Sequence, residues 1–265
     1  MDEPQGRYFQ NRAMVQIWSS PLELGKAAAS EAKVAIEDAI SQRKRARIIV
    51  GTGNSQVDVI NALVEGESVN WKAVEVFHLD EYVGMSDEHS ASFRRWLRTH
   101  FVEKVHPGAV HYLRGDALNV EEECSRYAEL LDSAPLDLCF LGFGENGHIA
   151  FNDPHVANFN DPLIVKRVAL DRRCREQQLG EGHFPTLDAV PQEAITLTCS
   201  ILMQVACLIC CVPERRKAEA VQTALEGPLS ELCPASIVPT HPRASIFLDT
   251  ESASLLKKYQ EINAE

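Results

Sequence analysis

Apolar and polar positions alternate along the chain in two kinds of segment. Short runs rich in Ile, Val, Leu and Cys are separated by longer stretches whose apolar residues recur every three or four positions, the spacing of one helix face. The first helix is predicted from Ser20-Pro21, a cap followed by a proline of fixed φ, with Leu24, Ala28, Ala32, Ala35 and Ile36 on one face. A strand follows at Ala46–Val50, then the loop Gly51-Thr-Gly-Asn-Ser55 and a helix carrying Val57, Ile60, Leu63 and Val64. Ala73–Leu79 reads as a strand that ends at Asp80-Glu81-Tyr82. The segment from Ser92 to Val105 reads as a helix with Phe93, Trp96, Leu97 and Phe101 packed in the core and Arg94, Arg95 and Arg98 on a solvated face. Further helices are predicted at Glu121–Asp132, Lys217–Leu225 and Ser254–Asn263, and further strands at Leu136–Leu141, Ile164–Leu170, Ala194–Thr198, Val205–Val212 and Ala244–Leu248. Strands alternating with helices define an α/β domain with a mostly parallel sheet flanked by helices.

In such sheets the ligand crevice lies outside the carboxyl ends of the strands. Three strand ends therefore matter: Gly51–Ser55, Asp80–Tyr82 and Gly142–Asp153. Gly51, Thr52, Gly53, Asn54 and Ser55 lie between a strand and a helix, where glycines let the backbone approach a ligand and free N–H groups can hold an anion. The same residues are equally read as a tight turn with Ser55 as a helix cap. Neither a Walker A loop nor G-x-G-x-x-G fits there, because Gln56 occupies the third glycine position. Gly142-Phe-Gly-Glu-Asn-Gly147 does satisfy G-x-G-x-x-G, but Pro154 and Pro162 interrupt the helix a dinucleotide site needs. The following His148 and Asp153 are close enough in sequence to meet across a turn, and a carboxylate beside an imidazole supports proton transfer near neutral pH. Asp80 and Glu81 offer a general base at the neighbouring strand end, or a helix or turn cap.

Composition narrows the partners. The chain has 265 residues, 45% of them apolar and 24% charged, enough for a sizeable core. Acids outnumber bases 38 to 26, and a net charge of −12 argues against nucleic acid as a partner, since a phosphate backbone needs a basic face. A small anion held by a local cluster of amides and cations remains compatible. The longest apolar run, Val205–Val212, is far short of the roughly 20 residues of a membrane span, and Met1–Arg12 shows no signal peptide. Eight cysteines without an export signal read as reduced thiols in a cytoplasmic protein. Cys207 and Cys210 form C-x-x-C inside a buried strand pattern, with no second ligand pair at metal-site spacing, so no metal is expected.

Taken together, Phe77-His-Leu-Asp-Glu-Tyr-Val-Gly84, Glu88-His89-Ser90 and Leu141-Gly-Phe-Gly-Glu-Asn-Gly-His-Ile-Ala-Phe-Asn-Asp-Pro154 resemble the glucosamine-6-phosphate deaminase (isomerase) family. Val190-Pro191, Ala194-Ile-Thr196, Lys217-Ala218, Leu225-Glu226-Gly227, Pro234-Ala-Ser236 and His241-Pro242 add to the likeness, which runs from Pro21 to the C-terminus and leaves residues 1–20 as an N-terminal extension. The resemblance implies a single Rossmann-like domain over residues 21–265. The activity it implies converts glucosamine 6-phosphate and water to fructose 6-phosphate and ammonia, without cofactor or metal. It makes Asp80 the base that moves a proton between C2 and C1, His148 the group assisting ring opening, and Asn146 and Asp153 its supports. Lys217 and the loop Gly51–Ser55, with Gly142 beside them, would hold the sugar phosphate. A homo-oligomer is left open.

Several positions depart from the family pattern. Asp153 stands where glutamate is usual and is one methylene shorter, and Asn146 stands where many relatives carry a titratable aspartate. The family's phosphate-binding arginine has no counterpart, because no Lys or Arg occurs between Glu176 and Val190. Arg173, Arg175, Arg215 and Arg216 are the nearby cations. The stretch His155–Asp161 lacks the serines of the effector site found in some relatives, so no allosteric activation is expected. Two other readings compete. A 6-phosphogluconolactonase-like hydrolase would share the fold, but such enzymes tend to carry Asp-Glu-Arg where this chain has Asp80-Glu81-Tyr82, and Ile149-Ala-Phe-Asn152 favours the deaminase. A non-catalytic sugar-phosphate sensor would keep Lys217 and the glycine loop without needing Asp80 and His148 together.

Overall fold

The computed structural model describes residues 3–66, 69–262 and 264. A hairpin of β1 (Gly6–Gln10) and β2 (Ala13–Trp18) leads into α1 (Pro21–Arg43), β3 (Ala46–Val50) and α2 (Val57–Val64). β4 (Val74–His78) and β5 (Asp80–Tyr82) follow, then α3 (Phe93–Leu97), α4 (Glu103–Val105), β6 (Ala109–His111) and α5 (Val120–Asp132). The second half contains β7 (Leu138–Leu141), β8 (Val165–Ala169), α6 (Arg172–Gly180), β9 (Glu193–Leu197), α7 (Cys199–Leu202), β10 (Leu208–Val212), α8 (Ala218–Glu226), β11 (Ala244–Asp249) and α9 (Lys257–Ile262).

Among the described residues, eight strands form the central sheet in the order β1-β2-β11-β10-β7-β3-β4-β6. Every pairing is parallel except β1 with β2, so the mostly parallel α/β architecture holds. Alternate side chains of the inner strands enter two cores. Ile48, Val50, Leu138, Phe140, Ile209 and Cys211 pack against α1 and α2, whereas Ile49, Cys139, Leu141, Leu208 and Cys210 face the α5 and α8 side. This is the period-2 alternation of strands covered on both faces. Ser20 caps α1 as the sequence suggested, its hydroxyl accepting from the Glu23 N–H, and Leu24, Ala28, Ala32 and Ile36 are buried beneath it.

Local differences have physical causes. Residues 6–18, within the stretch read as an extension, form the β1–β2 hairpin, and β2 adds to the sheet edge alongside β11. The strands predicted at Ile164–Leu170 and Ala194–Thr198 do not join the parallel sheet. They form β8 and β9 of a separate antiparallel sheet in the order β5-β9-β8. The single helix expected over Ser92–Val105 is broken into α3, a π-helical turn at Arg98–Val102, and α4. Arg94 is not on a solvated face: it is buried and bonds Asp116 at 3.0 Å. The last helix begins at Lys257 rather than Ser254, and Asn263 lies outside the described residues. All eight cysteines are buried and unpaired, Cys207 and Cys210 among them.

Strand order reverses between β3 and β7. From β3 the chain proceeds outward through β4 to β6, then returns to β7 on the other side of β3 and moves outward through β10 and β11. The loops leaving β3 and β7 therefore diverge, and a crevice opens at their carboxyl ends, where open α/β sheets bind ligands.

Candidate active site

A cavity opens in that crevice, and its walls are mainly polar. Its lining brings together Gly51, Thr52, Gly53, Asn54 and Ser55 after β3, Asp80 from β5, Gly142 and His148 after β7, and Lys217 after β10. Asn146 and Asp153, the other two expected site residues, do not line it and lie behind His148.

The first loop is pinned at both ends. The Gly51 N–H donates to the Phe140 carbonyl at 3.2 Å, and the Gln56 N–H to the Gly53 carbonyl at 3.0 Å. Between them Gly53 adopts φ +97°, a left-handed conformation that favours glycine. Among the described residues the amides of Thr52 and Gly53 have no acceptor in the protein, and Thr52 Oγ1 and Gln56 Oε1 are buried without a partner. Buried polar groups are normally satisfied, so orphaned ones lining a cavity point to a polar ligand. Ser55 does not cap α2, whose first turn has no side-chain cap; its hydroxyl accepts from Gln56 Nε2 instead.

Asp80 and Glu81, adjacent in sequence, do different work because successive side chains of a strand point to opposite sides. Glu81 is a helix cap. Its carboxylate accepts from the N–H groups of Tyr82, Phe93 and Arg94 and from the Ser92 hydroxyl, which ties β5 to the start of α3. Asp80 lines the cavity, and its carboxylate makes no hydrogen bond among the described residues. Burial, with the neighbouring Glu81 charge, pushes its pKa up to about 8. A desolvated carboxylate that titrates near neutrality has the properties of a general base.

His148 sits on a loop held by several bonds. Its N–H donates to Asn146 Oδ1 at 3.0 Å. The Phe151 N–H donates to Thr196 Oγ1 at 3.0 Å, and Asn152 Nδ2 to the carbonyls of Ile149 and Leu197. Thr196 is the β9 partner of Asp80, so one strand pair fixes both segments. Ala150, which lines the cavity, has φ +50°, a strained conformation that this bonding over-determines. A Cβ on Gly144 would overlap the His148 ring, so the ring's position requires glycine there.

His148 Nδ1 lies 3.1 Å from Asp153 Oδ1, within ion-pair distance though without hydrogen-bond geometry. Asp153 is fully buried. Burial alone would raise its pKa, but His148, the Asn146 amide and the Asp171 N–H outweigh it and hold the carboxylate below its ordinary range. Asn146 Nδ2 donates to Asp153 Oδ1 and Asp171 Oδ2, each at 2.8 Å. An amide satisfies both acids where a third carboxylate would repel them. The shorter reach of Asp153 is thus no obstacle to its meeting His148.

After β10 the chain runs into Glu214, whose φ of +83° turns it so that Arg216 and Lys217 line the cavity. Lys217 is buried, and burial with the neighbouring Arg216 charge lowers its pKa to about 8. Arg216 bonds Glu145, Glu181 and Glu214. Of the other nearby cations, Arg175 is spent on the carbonyls of Leu187 and Val190, and Arg173 is exposed beside Glu219.

Sequence reasoning did not place Phe93, Phe151, Gln177, Gln178 and Glu181 on the cavity wall. Phe93 and Phe151 stack at 5.8 Å and both contact the buried Tyr82 ring, whose hydroxyl donates to Gln178 at 2.6 Å. The available signal was the density of glutamines after Glu176, which is unusual for a purely structural helix. Among the described residues, two groups of side chains place ligand-type atoms within 4.8 Å of one another: His148, Asp153 and Cys174, and Asp153, His155 and Asp171. Both depend on Asp153, which is already committed to His148 and Asn146, and burial keeps the Cys174 thiol protonated by raising its pKa.

The sequence pattern of the family described as glucosamine-6-phosphate isomerases/6-phosphogluconolactonase matches residues 19–247. The chain is an α/β protein of that family of enzymes. It is 31% identical over 220 residues to a glucosamine-6-phosphate deaminase of Bacillus thuringiensis (strain Al Hakam), covering 83% of this chain and 82% of the relative. A Bacillus anthracis glucosamine-6-phosphate deaminase gives the same identity and coverage. Among solved structures, a monomeric glucosamine-6-phosphate deaminase superposes with a TM-score of 0.82 at 29% identity, over 91% of this chain and 99% of its own. A 6-phosphogluconolactonase from Shewanella baltica superposes at 0.73 and 20% identity, over 91% and 99%, and shows the shared fold.

Proposed function

We propose that this protein is an amino-sugar-phosphate deaminase that converts glucosamine 6-phosphate and water to fructose 6-phosphate and ammonia. The observation that carries the reading is that Asp80, His148, the glycine loop and Lys217 all line one cavity. The deaminase relatives and the 0.82 superposition support it.

The chemistry follows from the placement. His148, oriented by Asp153, takes the proton of the anomeric hydroxyl and returns one to the ring oxygen, which opens the sugar to its aldehyde. Asp80 then removes the C2 proton while the aldehyde oxygen takes a proton from the C2 ammonium, giving an enol at C1 with the amine on C2, and Asp80 returns the C2 proton to C1. The resulting C2 imine adds water and releases ammonia, leaving the ketone. The bond from C2 to hydrogen is the hard one to break, and a placed base contributes about 10²–10⁴ in rate. The free amides of Thr52 and Gly53 with Lys217 hold the phosphate, so binding energy far from C1 and C2 fixes the reacting carbons.

Every group invoked comes from one chain, so the reading requires no partner copy. None of the described helices is long and apolar enough to cross a membrane. The eight unpaired thiols and the substrate support a place in cytoplasmic amino-sugar catabolism, including use of N-acetylglucosamine. Tyr82, buried and bonded to Gln178, stands where the lactonase pattern has arginine, and this favours the deaminase over a lactonase. A coupled assay tests the reading: equal release of ammonia and fructose 6-phosphate from glucosamine 6-phosphate supports it, and hydrolysis of 6-phosphogluconolactone without ammonia release contradicts it.

A further inference from the structure

The cation end of the cavity holds its own anion. Lys217, Arg216 and Glu181 all line the cavity, whereas Glu145 and Glu214, the other two carboxylates on Arg216, do not. Arg216 Nη1 lies 3.0 Å from both Glu181 Oε1 and Glu145 Oε1, and its Nε bonds Glu214. Gln177 fastens the arrangement, its Nε2 donating to Glu181 Oε1 at 2.9 Å while its Oε1 accepts from the Glu145 N–H at 2.9 Å. The Glu181 side chain is only 6% exposed. Burial opposes its charge, but His183, Gln177, Lys217 and Arg216 together hold its pKa down to about 2, so it stays ionised at any ordinary pH.

A phosphate dianion approaching Lys217 therefore meets a permanent carboxylate and an arginine already occupied. Arg216 can satisfy a phosphate with the same planar fork it offers a carboxylate. We propose that Glu181 is a specificity-determining residue: an internal anion that occupies Arg216 in the empty cavity and must release it before the substrate's phosphate is gripped by both cations. The exchange makes the site selective, because a ligand without a full anionic group cannot displace Glu181. This inference rests on the Lys217 end being the phosphate subsite.

The test is calorimetric titration of the intact chain with inorganic phosphate, at near-neutral pH and fixed low ionic strength. Glu181→Gln, which keeps the shape and removes the charge, should bind phosphate roughly tenfold more tightly than the wild type. Glu181→Ser serves as a second neutral variant in case one substitution disturbs folding. Arg216→Met should weaken phosphate binding by the wild type and erase the gain in the Glu181→Gln background. Unchanged or weaker phosphate binding in both neutral variants overturns the proposal, as does a gain that survives Arg216→Met. Equal tightening by Glu176→Gln, an exposed charge paired with Arg172, would trace the effect to net charge and also overturn it. Phosphate binding that persists in Lys217→Met would instead sink the subsite reading. Because the titration needs no turnover, its outcome is separable from that of the deaminase assay.

Discussion

Asp153 Oδ1 is shared: it lies 3.1 Å from His148 Nδ1 and accepts from Asn146 Nδ2 at 2.8 Å, while the same Asn146 amide also reaches Asp171. The histidine is thus oriented by one carboxylate that is itself held by a neutral amide between two acids.

That relationship makes Asn146→Asp a costly change despite its small size. The substitution puts a third carboxylate between Asp153 and Asp171 and replaces two donated bonds with repulsion. Stability should fall by about 1–3 kcal/mol, with the loss growing as pH rises above the ordinary carboxylate range. Denaturant titration at acid and neutral pH measures it; equal stability at both would show that the amide is not needed.

His148→Gln should slow turnover of the closed-ring sugar phosphate by about 10²-fold or more and affect an open-chain analogue much less. Rates on the two substrates compared in one assay separate ring opening from later steps. Equal slowing of both would remove the ring-opening role.

Gly144→Ala tests the seat of that histidine without touching a titratable group. The added methyl occupies the space of the His148 ring, so the ring must turn away from Asp153. Activity should fall by about tenfold or more while phosphate affinity is unchanged. A variant with wild-type rates would show that the ring is free to sit elsewhere.

The shifted pKa values of Asp80 and Lys217, both displaced toward neutrality, set the pH behaviour. Asp80 must be ionised to act as a base, so kcat/KM should rise with pH toward about 8; Lys217 must be charged to hold phosphate, so affinity should fall above about 8 in the free enzyme. Bound phosphate favours the charged lysine and moves the alkaline limb of kcat upward. The stability signs follow from proton binding. The folded state keeps the Asp80 proton that the unfolded chain loses between pH 3.8 and about 8, so ionising Asp80 costs stability as pH rises through that window. The unfolded chain keeps the Lys217 proton that the folded state loses between about 8 and 10.5, so that penalty is relieved as pH rises. Asp80→Asn should accordingly melt above the wild type at pH 8, by about 2–4 °C for each kcal/mol relieved, and match it near pH 4.

Much of this was readable in the residues. The short apolar runs located β3, β4, β7, β10 and β11, and the rule that ligands gather at strand ends led to three of the segments that line the cavity. Pairing partners were not readable. Asp80-Glu81-Tyr82 looked like the end of a parallel strand, yet it pairs antiparallel with β9, because nothing local to a three-residue segment states which distant edge will satisfy its backbone. The split roles of Asp80 and Glu81 depend on that pairing. The β1–β2 hairpin was not read from the sequence, and β2 pairs along β11, more than 200 residues away in the chain. Arg94 looked solvated because a helical projection cannot show that Asp116 folds over it. Glu181 was visible only as a missing cation; that it enters the cavity depends on α6, whose fold against Glu145 and Arg216 joins residues far apart in sequence.

In the proposed reaction, Asp80 breaks the C2–hydrogen bond of a sugar phosphate held in this cavity. Asp80→Asn measures it most directly, with turnover of glucosamine 6-phosphate and its dissociation constant determined on the same preparation. Turnover should fall by about 10²–10⁴ with the dissociation constant within about threefold of wild type. Wild-type turnover in that variant, or loss of binding in step with loss of rate, would contradict the account.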